Sequence, residues 1–132
     1  MYRPNKFKQV FHSLRRFSAK RRFNKFKPFT IGITGSIGKT YTGYILSCLF
    51  PDAVVTDLNL DTTYNIPITA LKIKKDTKLA VFEMGIDRIN EMTEHLKIVR
   101  PNIAMVTGIT NVHTDKEHLG SLENLISEKR KI

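Results

Sequence analysis

Short apolar blocks, separated by polar and glycine-containing segments, recur along most of this sequence. Four of them, at residues 29–34, 53–56, 79–84 and 103–107, are nearly continuous runs of apolar and β-branched residues. Runs of this length without a polar face are typical of strands that are buried on both sides of a parallel sheet. We therefore predict four parallel strands.

The segments between these strands have helical spacing and end at helix-breaking residues. We predict helices at about 39–50, which Pro51 ends, and at about 67–73. After the third strand, Asp87 is placed to cap a helix. The apolar face of that helix consists of Ile89, Met92, Leu96 and Val99. The alternation predicts an α/β fold, a mostly parallel sheet with helices on both faces.

The first 28 residues follow a different pattern. Residues 1–30 contain ten Lys and Arg and no Asp or Glu, whereas the rest of the chain holds twelve residues of each sign. The apolar positions of this leader fall at helical spacing and are Phe7, Val10, Phe11, Leu14 and Phe17. We predict a basic amphipathic helix that ends before Pro28, followed by a domain at 29–132.

Three roles compete for the leader. Phenylalanines at helical spacing usually indicate burial, which favours a helix that covers the domain. Contact of residues 1–27 with an anionic membrane surface is favoured equally. Nucleic-acid binding is the least favoured of the three.

The bulk composition is that of one globular domain: 132 residues, 41% hydrophobic and 26% charged. The longest apolar run, at 44–50, is far shorter than a membrane span. Cys48 is the single cysteine, so no disulfide can form within the chain, and we expect it to be a small buried side chain. Together these features predict a cytoplasmic protein.

A glycine-rich segment at 32–40 joins the first predicted strand to the first helix of the domain. The strand–turn–helix context favours a phosphate-binding loop over a chance match. Gly35 and Gly38 let the backbone turn its N–H groups towards phosphate oxygens, and the helix N-terminus adds positive potential. Lys39 supplies a charge for the outer phosphates, and the Thr40 hydroxyl is a candidate ligand of Mg²⁺. Nucleotide contacts are expected from Gly35, Ser36, Ile37, Gly38, Lys39 and Thr40.

This loop, in its short Gly-x-x-Gly-Lys-Thr form, resembles the ATP loop of the Mur ligase and folylpolyglutamate synthetase superfamily. Further segments are similar to that family in the right order. They are 59–67, where Asn65 stands in place of the usual glycine, 81–85 (Val-Phe-Glu-Met-Gly), 101–107 with Asn111, and 120–129 (Gly-Ser to Lys). The Glu-Met-Gly motif at 83–85 is similar to that of the branch that adds D-alanyl-D-alanine. The resemblance covers about residues 29 to 132 and implies a P-loop NTPase-like central domain.

The resemblance implies ATP and Mg²⁺ as cofactors and the formation of an amide through an acyl phosphate. The substrates would be a UDP-muramoyl-peptide-type acceptor and an amino acid or dipeptide. Lys39 and Lys129 would be catalytic, the latter as a carbamylated lysine, and Asn111 would contact the nucleotide. The metal ligands would be Thr40, Glu83 and a residue of the 113–118 loop. His118 is preferred there over His113 and Asp115.

The position of Lys129 also has support from helical spacing. Lys129 follows Ile126, Leu125 and Leu122 by three, four and seven residues, so it projects from the apolar face of its helix. The alternative is a surface lysine at the edge of the helix.

Mur ligases have a domain on either side of the ATP domain. We therefore expect this chain to be a fragment or a truncated paralogue that is incomplete for turnover. The alternative function is a non-catalytic nucleotide-binding module whose basic leader contacts a membrane or nucleic acid.

Overall fold

The computed structural model describes residues 6–57, 62–110 and 119–132, with side chains from residue 9 and, in the second range, from residue 64. Helices and strands alternate after an N-terminal helix. In chain order they are α1 (Lys6–Phe26), β1 (Phe29–Thr34), α2 (Lys39–Leu49), β2 (Val54–Val55), α3 (Thr62–Lys72), β3 (Leu79–Glu83), α4 (Glu91–Leu96), β4 (Ile103–Val106) and α5 (Leu122–Lys129).

The four strands form one parallel sheet with the order β2-β3-β1-β4. Ile31 of β1 is in register with Val81 of β3 on one side and with Ile103 of β4 on the other. This order sets β1 between β3 and β4, so the segment that follows β1 is flanked by the ends of both neighbours. The predicted parallel α/β sheet is confirmed.

Apolar side chains pack on both faces of the two central strands, β1 and β3. The prediction that β4 is buried on both sides was wrong, because its residues are exposed or half-buried. On one face, Phe82 packs with residues of α1, α3, α4 and α5, and its ring meets that of Phe23 edge-on at 6.3 Å between centroids. On the other face, Ile31, Ile33 and Val81 pack against Leu46 of α2. The period of two along β3 produces this division, because Val81 points away from Phe82.

Two helices begin at residues that differ from the prediction. Helix α3 begins at Thr62, five residues before Pro67, which lies inside the helix and removes one backbone donor. Burial of Ile66 and Ala70 in the core stabilises the helix across that position. Helix α4 begins only at Glu91.

The residue before α4 is Asn90, with a left-handed backbone (φ 70°) that asparagine tolerates better than most residues. The prediction that Asp87 caps this helix was therefore wrong. The Asp87 backbone N–H instead donates to Glu91 Oε2 at 2.8 Å. Ile89 precedes the helix and is 55% exposed, so it does not share the buried face of Met92.

Helix α1 packs on α3 through a face that the apolar spacing did not identify. Ala19 and Phe23 are buried there, and His12 stacks on Tyr64 with centroids 4.8 Å apart. The expected burial of Phe11 and Phe17 was wrong, because both rings are exposed. The helix has two apolar faces, and the one with the small Ala19 allows the closer approach to α3.

Cys48 is exposed on α2, against the expectation of burial. Gly43 is the buried residue of this helix and lies against Ile33 and Val55, where an added Cβ would be 4.0 Å from each side chain. Cys48 lies five residues further on, on a different side of the helix. Among the described residues, no helix combines the length and the apolar character needed to cross a membrane.

Candidate functional site: a phosphate loop with two converging lysines

The loop between β1 and α2 depends on glycine at two positions. Gly35 has φ 151° and Gly38 has φ 80°, both in the region that side chains disfavour. At Gly35 space is also lacking, since a Cβ there would lie 2.2 Å from Thr107 Oγ1 and 3.1 Å from the carbonyl oxygen of Gly108. At Gly38 the nearest atom would be 3.7 Å away, so only the backbone angle is restrictive.

The segment that follows β4 holds this loop in place. The Ser36 backbone N–H donates to the Gly108 carbonyl at 2.6 Å, and the Thr110 N–H donates to Ser36 Oγ at 3.1 Å. The Thr107 hydroxyl lies 2.5 Å from the Ile37 carbonyl and 3.2 Å from that of Thr34. These hydrogen bonds to residues 107–110 therefore fix the conformation of the loop. Nothing in the sequence marked the hydroxyl of Thr107 for this role beyond its place at a strand end.

Two lysines from distant parts of the chain meet at the loop. Lys39 Nζ donates to the Gly35 carbonyl at 2.9 Å, and Lys129 Nζ donates to the same oxygen at 2.8 Å. Lys129 is only 3% exposed, in agreement with the inward face that helical spacing predicted. Ser121 begins α5 by accepting the Asn124 N–H at 3.1 Å, and this cap fixes the start of the helix that carries Lys129.

Burial and, to a smaller extent, the nearby charge of Lys39 lower the pKa of Lys129 to about 8, and the Asp87 carboxylate opposes this change. Two ammonium groups thus share one carbonyl oxygen beside the N-terminus of α2. A bound anion would relieve their repulsion and would also accept hydrogen bonds from the loop. The arrangement is suited to a polyphosphate.

Glu83 lies at the end of β3, next to the loop. Its Oε2 accepts a hydrogen bond from Thr40 Oγ1 at 2.9 Å. Its backbone is held on both sides, because Thr56 Oγ1 accepts its N–H at 3.1 Å and Asn65 Nδ2 donates to its carbonyl at 2.8 Å. A small cleft of ≈ 230 Å³ opens beside this pair, and Tyr44, Ser47 and Asp57 also line it.

The oxygen atoms of Thr40 and Glu83 are the hard ligands that Mg²⁺ prefers. Among the residues that the structure describes, no group of three His, Cys, Asp or Glu is placed to hold a metal. Asn111, His113, Asp115 and His118 all lie outside the described residues, so their predicted roles stay predictions. Thr40 and Glu83 are therefore two candidate oxygen ligands next to the phosphate loop.

Two buried side chains contact the backbone of the turn after Glu83. Thr34 Oγ1 donates to the Met84 carbonyl at 2.8 Å, and the buried His95 places Nε2 2.9 Å from the Gly85 carbonyl. Burial lowers the pKa of His95, which favours the neutral ring, and the hydrogen bond to Gly85 opposes this effect. The sequence offered no partner for His95, and its role in the structure is to support this turn.

These features define a P-loop nucleotide-binding domain of the α/β class. They are the parallel sheet, the glycine-rich loop between β1 and α2, the lysine and threonine at the start of α2, and the acid at the end of β3. The Mur ligase middle domain family matches residues 33–132. The chain belongs to this family, as the resemblance of its motifs had indicated.

Relatives and solved structures agree with this assignment and with the D-alanyl-D-alanine branch. The chain is 32% identical over 125 residues to a UDP-N-acetylmuramoyl-tripeptide–D-alanyl-D-alanine ligase of Rickettsia prowazekii, covering 92% of this chain and 27% of the relative. The same-named protein of Haemophilus influenzae is 32% identical over 115 residues, covering 82% of this chain and 25% of the relative. The chain thus spans about a quarter of the length of these relatives.

Among solved structures, the MurF ligase of Thermotoga maritima in complex with ADP aligns with a TM-score of 0.82 at 27% identity, covering 92% of this chain and 29% of that one. MurF from Acinetobacter baumannii aligns with a TM-score of 0.83 at 25% identity, covering 92% and 27%. The predicted fold class is confirmed by these neighbours.

Proposed function

We propose that this chain supplies the ATP-binding part of a peptidoglycan-precursor ligase. The reaction would join the carboxylate of a UDP-muramoyl peptide to the amine of an amino acid or dipeptide, through an acyl phosphate. The convergence of Lys39 and Lys129 on the Gly35 carbonyl is the observation that carries the proposal. The ADP complex of the Thermotoga maritima neighbour supports a nucleotide at this loop.

Each residue of the site has a proposed task. Backbone N–H groups between Gly35 and Thr40, other than that of Ser36, which donates to the Gly108 carbonyl, would hold the phosphates. Lys39 would leave the Gly35 carbonyl to pair with the terminal phosphate oxygens. Thr40 and Glu83 would hold Mg²⁺, with His118 as the candidate third ligand. When bound, the ion supplies charge neutralisation between the triphosphate and the incoming carboxylate. Asn111 is proposed to contact the nucleotide, and cytoplasmic localisation stays a prediction.

Lys129 is proposed to act as a carbamate. Its neutral amine would add to CO₂ with release of one proton. A pKa of about 8 leaves roughly half of the amine neutral at pH 8. An ordinary lysine would be neutral to only about 0.3% at that pH. Incubation with ¹³C-bicarbonate at pH 8 should give a carbamate carbon signal that is lost in Lys129→Met and kept in Lys75→Met. A signal equal in all three proteins would contradict the assignment.

Nucleotide binding is the direct test of the proposal. We expect the 132-residue chain to bind Mg-ATP in titration calorimetry, and Lys39→Ala to weaken binding at least tenfold. Lys75→Ala, at an exposed lysine outside the site, is the matched control. Equal binding by Lys39→Ala and the parent would refute the phosphate-loop assignment.

The genomic reading frame separates the two functions left open by the sequence, because this chain alone is expected to be incomplete for turnover. Continuation of the frame past codon 132 into family-like sequence supports the ligase. The product of that longer frame is then mixed with Mg-ATP, a UDP-muramoyl-tripeptide and D-alanyl-D-alanine, and should release phosphate together with amide product. A frame that ends at codon 132, with nucleotide binding by its product, favours the non-catalytic nucleotide-binding module.

A further inference from the structure

Helix α1 carries a second apolar face that nothing in the described structure covers. Its inward face is buried through Ala19 and Phe23. Val10, Leu14 and Phe17 are 61%, 59% and 60% exposed. At 100° per residue these three fall within roughly 60° of arc, about 170° from the direction of Ala19 and Phe23. The exposed stripe therefore lies on the side of the helix that faces away from the domain.

Basic side chains accompany this stripe. The Arg21 guanidinium lies 5.9 Å from the centre of the Phe17 ring, and that of Arg15 lies 4.8 Å from the centre of the Phe11 ring. Phe11 is itself 56% exposed. Residues 1–30 contain ten basic residues and no acidic one, and the net charge of the whole chain is +10. The helix thus presents an apolar stripe within a strongly positive surface.

This combination matches the chemistry of an anionic bilayer surface. Apolar side chains enter the boundary between headgroups and acyl chains, while Lys and Arg remain among the charged headgroups. A nucleic acid would also attract the charge and could stack its bases on Phe11 and Phe17, but it would leave the aliphatic side chains of Val10 and Leu14 exposed to water. A helix lying in the plane of the interface need not be able to cross the membrane, and no described helix is both long and apolar enough to do so.

We propose that α1 binds anionic membrane surfaces, with Val10, Phe11, Leu14 and Phe17 inserted and the basic residues around them contacting the headgroups. Eight residues, 27–34, separate α1 from Gly35 of the phosphate loop, so this contact holds the nucleotide site close to the membrane. The proposal is independent of the ligase function, because it involves none of the nucleotide-site residues.

A tryptophan placed in the stripe gives a direct readout, because the chain has no native Trp. Phe17→Trp is titrated with vesicles of phosphatidylcholine alone and with vesicles that contain 30% phosphatidylglycerol. We expect a blue-shifted emission with the anionic vesicles only. Ile89→Trp, at an exposed site outside α1, is the control and should show no shift.

Cosedimentation with the same anionic vesicles tests the stripe itself. We expect Leu14→Ser/Phe17→Ser to bind at least tenfold more weakly than the parent, and Leu49→Ser, which removes an exposed leucine of α2, to bind as well as the parent. Circular dichroism and Mg-ATP binding should be unchanged in the double variant, because both side chains point away from the core.

Three results of the vesicle experiments would overturn the proposal. They are equal binding to neutral and anionic vesicles, unchanged binding by the double variant, and no binding by the parent. In the last case the stripe would belong to a protein partner or to another part of a longer chain. Tighter binding to a single-stranded RNA than to anionic vesicles, with equal loss in the double variant, would also overturn it in favour of a nucleic-acid surface.

Discussion

Lys129 should make the stability of this protein rise with pH between about 8 and 10.5. Its pKa falls from 10.5 to about 8 on folding. Below pH 8 both the folded and the unfolded chain carry the proton, so the cost of the buried charge is fully present. Between pH 8 and 10.5 the folded chain has lost the proton and the unfolded chain retains it, so the free energy of unfolding rises with pH.

The size of the effect follows from the change in pKa. A difference of about 2.5 units corresponds to about 3 kcal/mol when fully developed. Lys129→Met removes the charge and keeps most of the side-chain volume, and the Gly35 carbonyl retains its hydrogen bond from Lys39. We therefore expect Lys129→Met to be more stable than the parent at pH 7, by up to about 3 kcal/mol, and the two proteins to converge towards pH 10.

Urea unfolding at pH 6, 7, 8, 9 and 10 in the absence of nucleotide measures this difference. Titration of the other lysines and of the tyrosines affects both proteins and cancels in the comparison. Lys75→Met, at an exposed position, should track the parent at every pH. Parallel stability curves for the parent and Lys129→Met, or a gap that widens above pH 8, would refute the inference that the buried ammonium is destabilising.

Three further changes test the loop and its cation pair. Gly35→Ala should abolish Mg-ATP binding and lower the melting temperature, because its Cβ would lie 2.2 Å from Thr107 Oγ1. Gly38→Ala, where 3.7 Å is free, should be milder in both assays, and equal effects would contradict the steric argument. Thr107→Val removes a hydroxyl that lies 2.5 Å from the Ile37 carbonyl, so it should lower the free energy of unfolding by about 1 kcal/mol. It should also weaken nucleotide binding severalfold in calorimetry. Unchanged binding would show that the loop does not depend on this contact. Glu83→Gln should weaken ATP binding in the presence of Mg²⁺ and leave binding in EDTA unchanged, whereas equal losses in both buffers would argue against a metal role.

Local patterns predicted the sheet because each strand appears as a nearly continuous apolar run, although only β1 and β3 are buried on both faces and β4 is largely exposed. The same approach failed where tertiary packing chose between local alternatives. In α1, two apolar faces were available, and contact with α3 selected the one that contains Ala19 and Phe23. Before α4, the left-handed backbone of Asn90 delayed the start of the helix beyond Asp87. The spacing of apolar residues alone does not show which face of a helix is buried or at which residue the helix begins.

For the site, the sequence identified residues whose role is local. Gly35, Lys39 and Thr40 lie within one turn of the chain, and the inward direction of Lys129 followed from the period of its own helix. The support given by Thr107 and Thr110 depends on the pairing of β1 with β4, in which Thr34 is in register with Val106. That register is a property of the folded sheet and is not encoded in any short segment.

Asn65 illustrates how a departure from a family pattern can be interpreted only in three dimensions. The resemblance expects glycine at this position, and the substitution would seem to weaken the match. In the structure Asn65 lies within α3, is 2% exposed, and donates from Nδ2 to the Glu83 carbonyl at 2.8 Å. A glycine inside a helix is less stable than a residue with a side chain by roughly 0.5–1 kcal/mol, and it has no group that could reach Glu83. The asparagine therefore preserves the helix and adds a direct link to the residue that faces Thr40, so this departure strengthens the position of Glu83 at the phosphate loop.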